Sequence, residues 1–153
     1  MATLTTNTTG SSVANALLID AEIKTLMTTG VTVIPAPGVG KVIIVETVFM
    51  LIRKTAVYTN VNAAADIWLE YTGGGILTVG PSTTNGHLVF DADTTPQVVE
   101  QTVNIANEGA LTNYENLPIQ VKAANAAAGA FTAGDINNRL GIAVLYKVIA
   151  LPA

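Results

Sequence analysis

The sequence contains no cysteine and a single histidine, and few of its residues are aromatic or charged. Without cysteine there is no disulfide framework, no thiolate metal ligand and no cysteine nucleophile. One histidine, His87, excludes a poly-histidine zinc centre and any mechanism that needs two imidazoles. Only 12% of residues are charged, against about 25% in an ordinary soluble domain. Much of the surface therefore falls to Thr, Asn, Ala and Gly, and weakly charged surfaces tend to associate. Such a composition suits a surface that becomes covered.

Basic residues are also few. Seven Lys and Arg stand against eleven Asp and Glu, for a net charge of −4, and the basic ones are scattered from Lys24 to Lys147. Phosphate backbones require clustered cations, so a nucleic-acid partner is not expected. The most apolar run, residues 42–52, is too short to cross a bilayer and contains Glu46. The opening MATLTTNTTGSS has neither a basic segment nor an apolar one, so no signal peptide and no membrane association are expected.

At 153 residues the chain suits one domain with a core of its own. Residues 1–15 are rich in Thr, Ser and Asn without periodicity, and read as an extended arm ahead of a domain over 16–153. Turn signals then crowd the chain: Thr29-Gly30, Pro35-Ala36-Pro37-Gly38, Gly73-Gly74-Gly75, Gly80-Pro81 and Asn85-Gly86 among them. Between them lie about nine β-branched or aliphatic segments, expected as strands at 16–19, 31–35, 42–53, 66–71, 76–79, 87–90, 97–105, 118–123 and 140–149. A helical turn is expected over 21–26, with Asp20 as N-cap and Ile19, Ile23, Leu26 and Met27 on one face. The pattern predicts an all-β fold, a jelly-roll-like antiparallel β-sandwich.

Alternation assigns faces. In 140–149, Leu140, Ile142, Val144, Tyr146 and Val148 share one side; in 118–123, Ile119 and Val121 point to the core. Ile67, Leu69 and Tyr71 form the apolar face of 66–71. That places Trp68 on the opposite side, between Asp66 and Glu70. An outward tryptophan is an interface anchor or a sugar platform, or else packs under a loop such as 55–65. The long segment 42–53 is apolar on both faces: Val42, Ile44, Val48, Met50 and Ile52 on one, Ile43, Val45, Phe49 and Leu51 on the other. A sandwich covers one face only, so the second needs a neighbouring copy or a segment of the same chain. The candidate oligomer or capsid contacts are thus Trp68, Ile43, Val45, Phe49 and Leu51, with Thr5, Thr6 and Asn7 of the arm.

Chemical motifs are poorly formed. Gly38-Val39-Gly40-Lys41 superficially matches a phosphate loop, but Pro35 and Val42 occupy the positions that need Gly and Ser or Thr. Asp91-Ala92-Asp93 with Thr94-Thr95 could offer oxygens to calcium, yet lacks the glycine and distal glutamate of an EF-hand. His87 sits beside the Asn85-Gly86 turn, and no G-x-S-x-G elbow exists. No enzyme activity, cofactor or metal is expected.

The segments Glu22-Ile23-Lys24-Thr25-Leu26, Thr29-Gly30-Val31-Thr32-Val33-Ile34 and Pro35-Ala36-Pro37-Gly38-Val39-Gly40-Lys41-Val42-Ile43 are similar to a pattern in small virion proteins of tailed phages. Thr55-Ala56-Val57-Tyr58-Thr59, Ile67-Trp68-Leu69-Glu70-Tyr71, Phe131-Thr132-Ala133-Gly134-Asp135 and Leu145-Tyr146-Lys147-Val148-Ile149 continue it in order. Gly30 departs from it, standing where proline is expected. The resemblance implies a jelly roll, often trimeric, that decorates (cements) the capsid exterior by binding between major capsid subunits, or serves in a tail, baseplate or fibre. It carries no catalytic residues. A glycan-binding jelly roll, built on Trp68 and residues 91–95, is the remaining alternative.

Overall fold

In the computed structural model, the described residues are 10–59, 66–73, 75–76, 94, 96–102, 111–124 and 130–152. They form ten strands: β1 (Ser12–Ile19), β2 (Val31–Ile34), β3 (Lys41–Arg53), β4 (Tyr58–Thr59), β5 (Asp66–Tyr71), β6 (Gly75–Ile76), β7 (Gln97–Thr102), β8 (Ile119–Ala124), β9 (Thr132–Ala133) and β10 (Arg139–Ala150). One short helix, α1 (Asp20–Thr25), follows β1, and a 3-10 turn spans Leu111–Tyr114.

Two four-stranded sheets carry the fold, ordered β1-β10-β3-β7 and β2-β8-β5-β6, and β4 pairs with β9 alone. Setting that small pair aside, the pairing is nested: β1 with β10, β2 with β8, β3 with β7 and β5 with β6, all antiparallel. This is a long hairpin rolled into a sandwich, the topology of a jelly roll. The expected fold class is therefore found. Of the nine expected strands, 66–71 matches in full, those at 31–35, 42–53, 118–123 and 140–149 shift by one residue, and the residues expected as strand at 77–79 and 103–105 lie outside the described residues. The expected strand at 87–90 lies outside the described residues.

The core is shared by both sheets. Leu18, Val48, Met50, Ile52, Leu140, Ile142 and Val144 from one meet Ile67, Leu69, Tyr71, Ile119 and Val121 from the other. Burying each Leu, Ile or Val side chain contributes about 1.5–3 kcal/mol. Ile23 and Leu26 close one end of the sandwich from α1 and its C-cap.

Four expectations are corrected. First, β1 begins at Ser12, four residues early, with Ser12 to Asn15 paired to Tyr146 through Ala143; the edge of β10 offers backbone groups that reward pairing whatever the side chains. Residues 1–9, with Thr5, Thr6 and Asn7, lie outside the described residues.

Second, Ile43 and Val45 are core residues rather than outward ones, at 0% and 1% exposed. The register of β3 against β10 passes from Thr47↔Leu145 to Val45↔Tyr146, leaving Glu46 with no residue opposite it in the strand ladder. That bulge inverts the alternation. Val48, Met50 and Ile52 face inward on one side of it, Val45 and Ile43 on the other. Val42 is buried as well.

Third, the helix cap is Ile19, whose N–H donates to the Glu22 carboxylate at 2.9 Å. Asp20 lies inside the helix and pairs with Lys24 at 2.6 Å, one turn on. Fourth, Ile19 itself is exposed, since it still belongs to β1 and follows the outward parity of that strand.

Candidate functional site

The loop 38–41 is a tight turn feeding β3. Gly38 and Gly40 take left-handed φ values of 98° and 72°, which favour glycine. Their N–H groups are already used: Gly38 donates to Asn116 Oδ1 at 2.9 Å and Gly40 to Glu115 Oε1 at 2.5 Å. Amides held by a carboxylate and an amide oxygen are not presented to a phosphate. The loop is a clasp between two connections of the sandwich, and Leu151 N–H joins it by donating to the Gly40 carbonyl.

At the opposite end, Asn138 is fully buried and serves the same purpose. Its Oδ1 accepts from Thr55 N–H at 2.8 Å and Ala56 N–H at 3.3 Å, while Nδ2 donates to the Ala56 carbonyl at 2.8 Å. Asp135 accepts from Asn137 N–H and from the Thr55 hydroxyl, both at 2.8 Å, and these bonds hold its carboxyl below the usual range. Both ends are thus knitted by side chain to backbone. Among the described residues no three His, Cys, Asp or Glu converge on a metal position. Among the same described residues no helix is long and apolar enough to cross a membrane. His87 and Asp91 to Asp93 lie outside the described residues.

What remains is the pair of outer sheet faces. On β2-β8-β5-β6, Trp68 does lie opposite the core, as alternation predicts, but it is half-buried and engaged. Its Nε1–H donates to Glu70 Oε2 at 2.8 Å. Gln120 Nε2 donates to Glu70 Oε1 at 2.8 Å, and Lys122, the cross-strand partner of Trp68, brings Nζ to 3.7 Å. Glu70 is only 7% exposed, so these donors replace the water it has lost. Gly30 leaves open the space in which the Gln120 side chain lies; a Cβ there would collide with it.

The outer face of β1-β10-β3-β7 is different. Adjacent register rows cross it: Leu17, Gly141, Leu51 and Val98 in one, Asn15, Ala143, Phe49 and Glu100 in the next, and Val13, Leu145 and Thr47 beyond. Leu17 is 66% exposed, Val98 70%, Val13 61%, Leu51 52% and Phe49 39%. Gly141 and Ala143 form the floor of an open groove along β10, walled by Phe49 and Leu51. Of the sequence-predicted interface set, then, Phe49 and Leu51 come together here and Trp68 stands on the other sheet. Leu17, Val13 and Val98 were missed: Val13 falls in the expected arm, and Leu17 and Val98 join this face only through strand pairing, Leu17 with Gly141 and Val98 with Leu51.

No protein-family model matches the chain, and no curated protein matches it. Among solved structures it is similar to a chain of the cyanophage Pam1 capsid asymmetric unit, with 18% identity and a TM-score of 0.43 over 99% of this chain and 90% of that one. A likeness of that size carries no argument about what this chain does.

Proposed function

We propose that the protein is a structural component of a phage virion, of the capsid cement (decoration) kind, acting by packing against copies of itself and against the major capsid protein. The observation that carries this reading is the outer face of β1-β10-β3-β7, where Val13, Leu17, Phe49, Leu51 and Val98 stand in water with few charges among them. Their exposed area, roughly 500 Å², lies at the upper end of what a monomer keeps uncovered. The low charge of the whole chain and the resemblance to small tailed-phage virion proteins support the same reading. The action is passive: neutral and apolar surface buried at the joints of a shell opposes their separation. Proteins of the kind the chain resembles are often trimeric and sit on the capsid exterior, and the Thr-, Ser- and Asn-rich composition ahead of β1 adds to the proposal an arm that lies along a neighbour and adds a strand to its sheet edge.

The test is cosedimentation with shells assembled from the major capsid protein of the same genome. The chain should pellet with the shells, and the attachment should change little between low and moderate salt, because few ion pairs are available. Protein left wholly in the supernatant would overturn the reading. Deleting residues 1–9 should weaken attachment while leaving every described strand in place. The glycan reading is less well supported, because the Trp68 indole N–H is already committed to Glu70.

A further inference from the structure

The apolar face has a relief that matches itself. Strands β10 and β3 are its two central strands. Across β10 the outward residues Gly141 and Ala143 are small; across β3 their register partners Leu51 and Phe49 are large. The groove over Gly141 and Ala143 therefore lies directly beside a ridge of Leu51 and Phe49. An isologous contact requires that residue i meet j while j meets i. A two-fold axis parallel to the strands, running between β10 and β3, satisfies this. It sets β10 of one copy over β3 of the other and keeps every row in register. Leu51 of each copy then enters the groove over Gly141 of the other, and Phe49 lies over Ala143.

We infer that this face is a two-fold interface between copies of the chain, closed by Leu51 and Phe49 of each copy in the Gly141–Ala143 groove of the other. The inference rests on the reading that the chain works by packing against itself, and it substitutes a two-fold contact on this face for the expected trimer. The same axis carries the outer strands into agreement: Leu17 on β1 meets Val98 on β7, and Asn15 meets Glu100, an amide against a carboxylate. The five apolar residues alone expose roughly 500 Å², more than half of the ~800 Å² that each partner contributes to a standard interface, and the polar rim adds to it. Aligned sheets pack face to face in this manner inside a sandwich. Arg53 and Arg139 share the end row, so like charges from two copies approach only at the margin, and moderate salt should strengthen the pairing.

Equilibrium sedimentation of the full chain tests it, with melting temperature followed in parallel. Wild-type protein should dimerise at micromolar concentrations, and Gly141→Leu should weaken dimerisation by about thirtyfold or more, as expected for filling a central pocket. At concentrations where both are monomeric, that variant should keep the wild-type melting temperature, since a Cβ at Gly141 meets Leu51 Cβ at an ordinary 3.6 Å. Leu51→Gly alone should also weaken the dimer, while the double variant Gly141→Leu with Leu51→Gly, which exchanges ridge and groove on both copies, should restore it. A monomer at every concentration, a three-fold mass insensitive to Leu51, or a double variant no tighter than its parents overturns the inference. A monomeric chain that still cosediments with shells would overturn the pairing alone and leave the virion role standing.

Discussion

The two outer faces of the sandwich solve the same problem in opposite ways. On β2-β8-β5-β6, Trp68 and Glu70 could have been a site, but Glu70 satisfies the indole, Gln120 and Lys122 within the chain. That face is finished. On β1-β10-β3-β7, the large exposed residues Val13, Leu17, Phe49, Leu51 and Val98 have no polar group to satisfy internally and lose nothing by meeting another apolar surface. The difference teaches that exposure of a large side chain is informative only when its partners are known. Trp68 is the chain's one tryptophan, yet it is the more occupied of the two candidates.

This contrast can be broken most forcefully within β3. Val48→Asp, which places a carboxylate in the core, should cost more than about 4 kcal/mol and abolish cooperative unfolding in urea. Leu51→Asp, three residues away and outward, should change stability by no more than about 1 kcal/mol while suppressing self-association. Equal damage from both would show that the outer face belongs to the core.

The finished face should respond to loss of its acceptor. Glu70→Ala leaves the Trp68 indole, Gln120 and Lys122 without it, and should destabilise by about 2–3 kcal/mol in urea titration. A smaller but diagnostic effect comes from Tyr71, whose hydroxyl donates to the Ile43 carbonyl and whose ring stacks on Tyr114 at 4.6 Å. Burial pushes this phenol up to about 12, with Tyr114 adding to the rise. Because the folded value is raised, the contribution is complete below about pH 10 and lost as pH climbs towards 12. Tyr71→Phe should cost about 1 kcal/mol at neutral pH and flatten that alkaline decline.

The smallest effect is expected at Glu46, where the Lys147 ammonium at 2.5 Å and then the Ser11 hydroxyl hold the carboxyl below its ordinary value. A lowered folded value means stability present above about pH 4.5 and lost as pH falls further. The pair is exposed, so Glu46→Gln should shift acid unfolding only slightly, and less so in high salt.

The contrast was only partly legible in advance. Period-2 patterning identified most of the main strands and the inward sets Ile67, Leu69 and Tyr71 or Leu140, Ile142 and Val144, because side-chain direction in a regular strand follows from position alone. It failed at Ile43 and Val45 because one residue with none opposite it in the ladder, Glu46, inverts parity, and nothing local announces a bulge that exists only relative to β10. The two-residue strands β4 and β9 were invisible for a similar reason: each is defined by the other, some seventy positions away.

Composition and periodicity by themselves determined a weakly charged, all-β chain without clustered cations, thiols or paired histidines, because those properties are sums or local alternations. Which apolar residues end outside was decided by tertiary structure. Leu17, Gly141, Leu51 and Val98 come from four separate strands and form one row only when the rolled hairpin sets their register. A groove beside a ridge is a relation between neighbours in space, and strand pairing at long sequence separation is what makes them neighbours.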